Sequence, residues 1–269
     1  MTDPRTVNAA AWDRLARGGA SFARVATDAE LADPLGTLDP RGWLPRDLAG
    51  RAVLCLAAGG GWQSTLFAAA GADVTVVDIS DGMLARDRRE ASRHGFAVRC
   101  VRASMDDLAG LADEAFDVVH QPVSSCYVPD VSAVFRGVAR VLRPGGLYVS
   151  QHKQPLSLRA TSATERGYVI DVPGDRPSGD ALPPPSRSLP PGYREAGTAE
   201  YAHSLEALIG GLCRAGFVVE DLSEPAKPDR KAAPGTAGHR DRFVPPYVRL
   251  KARRAAAATV EENARLWTP

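Results

Sequence analysis

Residues 52–78 read AVLCLAAGGGWQSTLFAAAGADVTVVD, and the order of their elements decides the fold. Ala52–Leu56 is a short apolar run between Arg51 and a glycine cluster, the pattern of a strand covered on both faces of a parallel sheet. From Trp62 to Ala70 the apolar spacing is that of a helix, and Gly71 ends it. Asp73–Asp78 is rich in β-branched residues and reads as a second strand. Strand, helix and strand in so short a span form a βαβ unit, whose crossover makes the two strands run parallel.

Working outward, the pattern repeats. A polar helix is expected over 81–94, a strand over 97–102 and another over 116–119. A helix over 131–142 follows, stopped by Arg143, Pro144, Gly145 and Gly146, with LYVSQ at 147–151 as the fifth strand. Such alternation with short connections predicts an α/β fold: a Rossmann-like, doubly wound, mostly parallel sheet of about seven strands, with an antiparallel last strand and helices on both faces. The alternation runs out well before eight βα units, which argues against a barrel. A helix over 204–215 leads to FVVEDL (217–222) and YVRLKA (247–252), two strands expected to pair antiparallel at the sheet edge. Upstream, an Ala-rich helix over 8–17 and the Pro and Gly breakers from Pro34 to Gly50 make residues 1–50 an N-terminal helical cover. Residues 51–255 form the main domain, and 256–269 a C-terminal tail. Residues 171–200 hold too many prolines for helix or central strand and read as an inserted lid, densest from Pro173 to Pro191.

Composition narrows the function. Lys plus Arg (33) nearly cancels Asp plus Glu (32), so no global field draws the chain to nucleic acid or anionic lipid. A small-molecule partner is expected, with no nucleic acid and no membrane. The four cysteines are scattered without a CxxC pair and lie in or beside apolar runs, so buried free thiols and a reducing, cytoplasmic setting are expected. No metal-ligand spacing, P-loop or nucleophile elbow is present.

Gly59, Gly60 and Gly61 fall where the first strand turns into the first helix, and Asp78 ends the second strand. Glycines let a backbone approach a ligand closely, and a carboxylate at that strand tip can accept from a ribose diol. On spacing alone this GxGxxS arrangement serves a nicotinamide enzyme or an S-adenosylmethionine enzyme equally.

The ordered series VLCLAAGGGWQSTLFAAAGADVTVVDISDGMLARDRR, FDVVHQPVSSCYVPD and VARVLRPGGLYVS resembles class I S-adenosylmethionine-dependent methyltransferases over about residues 52–150. The resemblance implies S-adenosyl-L-methionine as cofactor and methyl transfer to an oxygen or nitrogen of a small molecule, with specialised metabolism as the setting. It implies that Ala57, Gly59, Gly60, Gly61 and Gln63 line the methionine and ribose portion, and that Asp78 binds the ribose hydroxyls. Ile79 and Met83 would flank the adenine, with Ser104, Met105 and Gln121 completing the site. The chain departs from the family in Cys55 and Ser104, where an acid is common, and in Ala57, where glycine is common. These departures keep open a cofactor-binding enzyme of other chemistry, such as cyclisation, or a non-catalytic binding module.

A hydroxyl acceptor calls for a base. His120 follows the fourth strand and His152 the fifth, at the carboxyl ends where open α/β sheets bind ligands. His152, in QHKQP, is the leading candidate, and His203 is expected to face the same cleft, as polar residues near this point do in similar methyltransferases. His239 reads as a surface residue, Lys153 as solvated or drawing an acidic substrate, and DRRE (87–90) as the wet face of a helix. Trp62 and Tyr127 lie near the cleft and could stack on an aromatic acceptor.

Overall fold

The computed structural model describes residues 3–18, 24–174, 179–186, 189 and 193–256. The chain opens with α1 (Pro4–Arg17), capped by the Asp3 side chain and started by Pro4, whose missing N–H costs a first turn nothing. Two short helices follow, α2 (Asp28–Ala32) behind a Thr27–Glu30 capping box and α3 (Pro34–Leu38). Next come β1 (Ala52–Leu56), α4 (Trp62–Ala69), β2 (Asp73–Asp78), α5 (Asp81–His94), β3 (Val98–Arg102) and β4 (Phe116–Gln121). After these, α6 (Val131–Val141) leads into β5 (Leu142–Lys153). A short α7 (Pro155–Arg159) and a hairpin of β6 (Ala160–Thr164) and β7 (Gly167–Ile170) precede the Pro-rich stretch. A π turn (Glu206–Gly210) runs into α8 (Gly211–Arg214), then β8 (Phe217–Ser223), α9 (Ala237–Arg240) and β9 (Tyr247–Arg254) complete the order.

The seven-stranded sheet has the order β3-β2-β1-β4-β5-β9-β8. Pairing is parallel among β1 to β5, and β9 is antiparallel to both its neighbours. The late strands do pair with each other, as expected, but only β8 is the edge: β9 inserts between β5 and β8. In β9, Val248, Leu250 and Ala252 are all buried on one face. By contrast, β8 exposes Val218 and Leu222. The glycines after α6 do not separate helix from strand; pairing with β4 begins at Leu142 and slips between Phe116 and Val118, so Arg143–Gly146 is absorbed as an irregularity inside β5.

Both faces of the sheet are covered. Leu54, Leu56 and Val119 pack under α6, whose Val131, Val134, Phe135, Val138 and Val141 form a buried stripe at helical spacing. On the opposite face Val53, Cys55, Val74 and Val76 pack with Phe67 of α4 and with Leu44 and Leu48 of the N-terminal cover. The strand order reverses between β1 and β4, which opens a crevice at their carboxyl ends. Two cysteines differ from expectation: Cys55 and Cys126 are buried, but Cys100 is half-buried and Cys213, on the outer side of α8, is exposed.

Helix α1 closes over this crevice through polar contacts. Asn8 is buried; its amide donates to the carbonyls of Tyr127 (2.9 Å) and Ala199 (3.1 Å) and accepts from the Ala199 N–H at 2.8 Å. Asp13 accepts from Ser80 Oγ at 2.5 Å and from the Gly82 N–H at 2.9 Å, at the start of α5. One helix thus ties the β2–α5 turn to the far end of the Pro-rich stretch. Asn8→Ala removes the partner of one buried and two partly buried backbone groups and should lower unfolding free energy by about 1–3 kcal/mol, read as a fall in the urea midpoint at unchanged slope.

Candidate active site

The turn from β1 to α4 is held in shape by carboxylates. Ala57, at φ 48°, occupies the left-handed region, and its N–H bonds the Val77 carbonyl at 2.7 Å. At Gly59 a Cβ would stand 2.7 Å from Asp78 Oδ2 and 2.6 Å from Met83 Cβ, so only glycine fits. The Gly59 N–H donates to Asp78 Oδ2 at 3.0 Å, and the Ser80 N–H to Asp78 Oδ1 at 2.9 Å. Asp87 takes the next donors: the N–H groups of Gly60 (2.9 Å) and Gly61 (3.1 Å) and the Ser64 hydroxyl (2.5 Å). Burial pushes both carboxyls up, Asp78 to about 6 and Asp87 to about 6, against the pull of these hydrogen bonds.

Asp87 corrects the reading of DRRE as a wet helix face. Arg88 and Arg89 are exposed, but Asp87 and Glu90 are buried. The clue was in the spacing, because Met83, Leu84, Asp87, Glu90 and Ala91 follow one buried stripe of α5.

A single cavity of about 460 Å³ runs along the crevice. Ala57, Gly59, Gln63, Asp78, Ile79, Met83, Ser104, Met105 and Gln121 all line it. Gly60 and Gly61 do not; their amides are turned toward Asp87. Gln121 is fixed by the Tyr148 hydroxyl, which donates to its Oε1, and by its own donation to Ser124 Oγ at 2.8 Å. The other half of the cavity lies over the ends of β4, β5 and β9 and includes His120, Gln151 and Arg249. Trp12 and Trp43 from the cover and Glu195 from beyond the Pro-rich stretch also reach it.

A family model described as "Methyltransferase domain" matches residues 54–150. The chain is 38% identical over 185 residues to the uncharacterized methyltransferase YbaJ of Bacillus subtilis (strain 168), covering 69% of this chain and 72% of that protein. The chain is a class I S-adenosylmethionine-dependent methyltransferase. Its cofactor is S-adenosyl-L-methionine. A ubiquinone biosynthesis O-methyltransferase of Pseudomonas syringae pv. tomato is 35% identical over 117 residues, or 42% of this chain and half of that protein's length. An S-adenosylmethionine-dependent methyltransferase from Mesorhizobium loti shares the fold, with a TM-score of 0.63 at 24% identity, covering 83% of this chain and 100% of that one.

The methyltransferase separates its three candidate histidines. His152 is fully buried and does not line the cavity, with Nδ1 2.7 Å from Ser125 Oγ and Nε2 2.8 Å from Ser150 Oγ. Burial pulls it down to about 3, so both ring nitrogens serve a neutral structural link and the leading candidate is withdrawn behind the cavity wall. His203 also stands back, its Nε2 held 3.0 Å from the Ser125 carbonyl. Only His120 lines the cavity, edge-on to Phe67, with Nδ1 unpartnered. Burial, and then the Arg249 guanidinium, pull it down to about 4. His239 is buried rather than superficial, 3.1 Å from the Tyr168 hydroxyl and packed on Phe243.

Lys153 is neither solvated nor turned to a substrate. It is buried and bonds Glu195 and, at 2.6 Å, Glu200, which also pairs with buried Arg194. These contacts anchor the return of the Pro-rich stretch onto β5; residues 175–178, 187–188 and 190–192 of the expected lid, and 257–269 of the tail, lie outside the described residues. Trp62 and Tyr127 do line the cavity, Trp62 under Arg24 (4.7 Å) and Tyr127 edge-on to Trp12 (5.3 Å).

Two outcomes test this geometry. Asp87→Ala strips three buried donors of their acceptor and should weaken S-adenosylhomocysteine binding at least about tenfold, given a penalty of about 1–3 kcal/mol per orphaned group, in calorimetric titration. A diol donates to the ionised carboxylate, so binding should tighten as pH rises through about 6 and level off above. Asp78→Asn should weaken binding and flatten that profile.

Proposed function

We propose that this methyltransferase transfers the methyl group to a hydroxyl oxygen of a small molecule, in specialised metabolism. In this reading residues 51–255 are the catalytic domain, 1–50 a cover and 171–200 a lid. One observation carries the proposal: a single cavity joins the Asp78 end of the crevice to a neutral histidine, His120, at the other. Oxygen is favoured over nitrogen by the likeness to ubiquinone biosynthesis O-methyltransferases.

The residues fit the cofactor. Asp78 would accept from the ribose hydroxyls, Ile79 and Met83 would flank the adenine, and Ser104 would stand at the adenine edge. Gly59 permits the backbone to approach the methionine portion, beside Ala57 and Gln63. Gly60 and Gly61 act one step back, through Asp87. Bound S-adenosylmethionine would supply an electrophilic methyl carbon on a sulfonium sulfur able to leave with the electron pair. The protein's share is alignment, worth up to about 7–11 kcal/mol in favourable cases, together with removal of the hydroxyl proton. His120 accepts that proton, since its ring is neutral at pH 7 and lines the acceptor half of the cavity.

Purified protein should bind S-adenosylmethionine and release S-adenosylhomocysteine when a phenol panel includes an acceptor. His120→Ala should then lower kcat by about 10² or more with cofactor affinity unchanged. A folded protein that binds neither sulfur compound would refute the reading; full turnover in His120→Ala would remove the base and leave alignment alone.

A further inference from the structure

Arg249 stands in β9 directly across from Gln151 of β5, and Gln151 Oε1 accepts from its Nε. Two neighbouring strands therefore aim its guanidinium. The side chain is half-buried on the cavity wall. Arg41, exposed at the other side of the same cavity, lies over Trp43 at 5.2 Å, and the Trp43 indole N–H donates to Asp221 at 2.9 Å. The third cation on the wall, Arg5, has Asp106 at 3.1 Å. Among the described residues Arg249 and Arg41 have no such partner.

A guanidinium kept half-buried on a strand without a counter-charge is costly in an unliganded fold. Its fork matches a planar carboxylate, two oxygens to two N–H groups. Of the carboxylates in this half of the cavity, Glu195 is paired with Lys153, which leaves Asp39, whose carboxylate accepts the Leu44 N–H at 2.5 Å. Two guanidiniums against one carboxylate leave a single surplus positive charge, which suits a monoanion better than a doubly charged phosphate. Trp43 and Tyr247 line the same end and suit a flat ring.

We propose that the methyl acceptor is an aromatic carboxylate, docked by its carboxyl group on Arg249 with Arg41 as the second cation. This rests on the function proposed above and names its substrate class. Docking also places a negative charge beside the guanidinium that depresses His120, so the ring gains proton affinity when an acceptor arrives. His120 is then fit to accept the hydroxyl proton as the methyl moves.

The test is titration with 4-hydroxybenzoate, its neutral amide 4-hydroxybenzamide and inorganic phosphate, each with and without saturating S-adenosylhomocysteine. The acid should bind at least tenfold more tightly than the amide, and phosphate should not displace it. Arg249→Gln should abolish that preference and Arg249→Lys restore part of it. Arg41→Gln should weaken it several-fold. Lys251→Gln, a strand neighbour paired with Glu220 at 3.0 Å and off the cavity wall, should leave it intact. Cofactor-product affinity in each variant reports the fold. Equal binding of acid and amide, or a preference that survives Arg249→Gln, overturns the inference while leaving methyl transfer standing. Loss of the preference equally in Lys251→Gln overturns it too. An Arg249-dependent preference in a protein that fails to bind S-adenosylhomocysteine supports the anion site and overturns the methyltransferase reading.

Discussion

The Asp87 carboxylate sets the geometry on which the cleft depends. It lies wholly inside the protein and gathers the N–H groups of Gly60 and Gly61 with the Ser64 hydroxyl. Those groups belong to the first turn of α4 and the residues before it, where backbone donors have no partner within the helix. Burying a carboxylate there is unfavourable in itself, as its rise to about 6 records, yet three donors converge on it. The result is a turn that leaves Gly59 against Asp78 and the open cavity. Without that clamp the turn's amides would compete for Asp78, the carboxylate that faces the cleft.

From this turn the architecture spreads outward by similar means. Asp13 of α1 caps the β2–α5 turn, and Asn8, on the same helix, holds both Tyr127 and Ala199. Lys153 and Arg194 converge on Glu200, one residue beyond Ala199. Buried ion pairs of this kind add little net stability but are severe when broken. They fix where the chain re-enters the sheet and hold Glu195 at the cavity wall. Cover and lid stem are thus coupled through the backbone at Ala199, and neither closes the crevice alone.

The alternating apolar runs made the sheet readable, because strands buried on both faces leave continuous Val, Ile and Leu segments with exact ends at Arg51 and Asp78 marked by charge. The bounds of β1, β2 and α5 were legible for that reason. Insertion of β9 between β5 and β8 was not, since edge and interior antiparallel strands share one alternation. That Gly59 and Asp78 would meet was legible as well, because they sit at fixed points of one βαβ unit. The acceptor half was not. Whether His120 or His152 meets the cavity depends on strand parity: His120 shares a face with Cys55 and Val149, whereas His152 shares one with Ser150 and Val248. Parity is set by registers that the Arg143–Gly146 irregularity shifts. Arg249 escaped notice because its meaning arises only when β9 brings it opposite Gln151, nearly a hundred positions earlier.

Charge is partitioned along the crevice in a way that suits the chemistry. At one end Asp78 stands in a cradle of amides, and at the other two guanidiniums face the cavity with Asp39 between the helix α3 and the sheet. The positive end suppresses protonation of His120, and an anion docked as proposed would reverse that effect. The same group that orients the acceptor ring would then lower the local potential felt by the methyl carbon and raise the basicity of the histidine. On the proposed docking, alignment and proton removal would both follow from one binding event, tying the rate of transfer to the presence of the correct acceptor rather than to the cofactor alone.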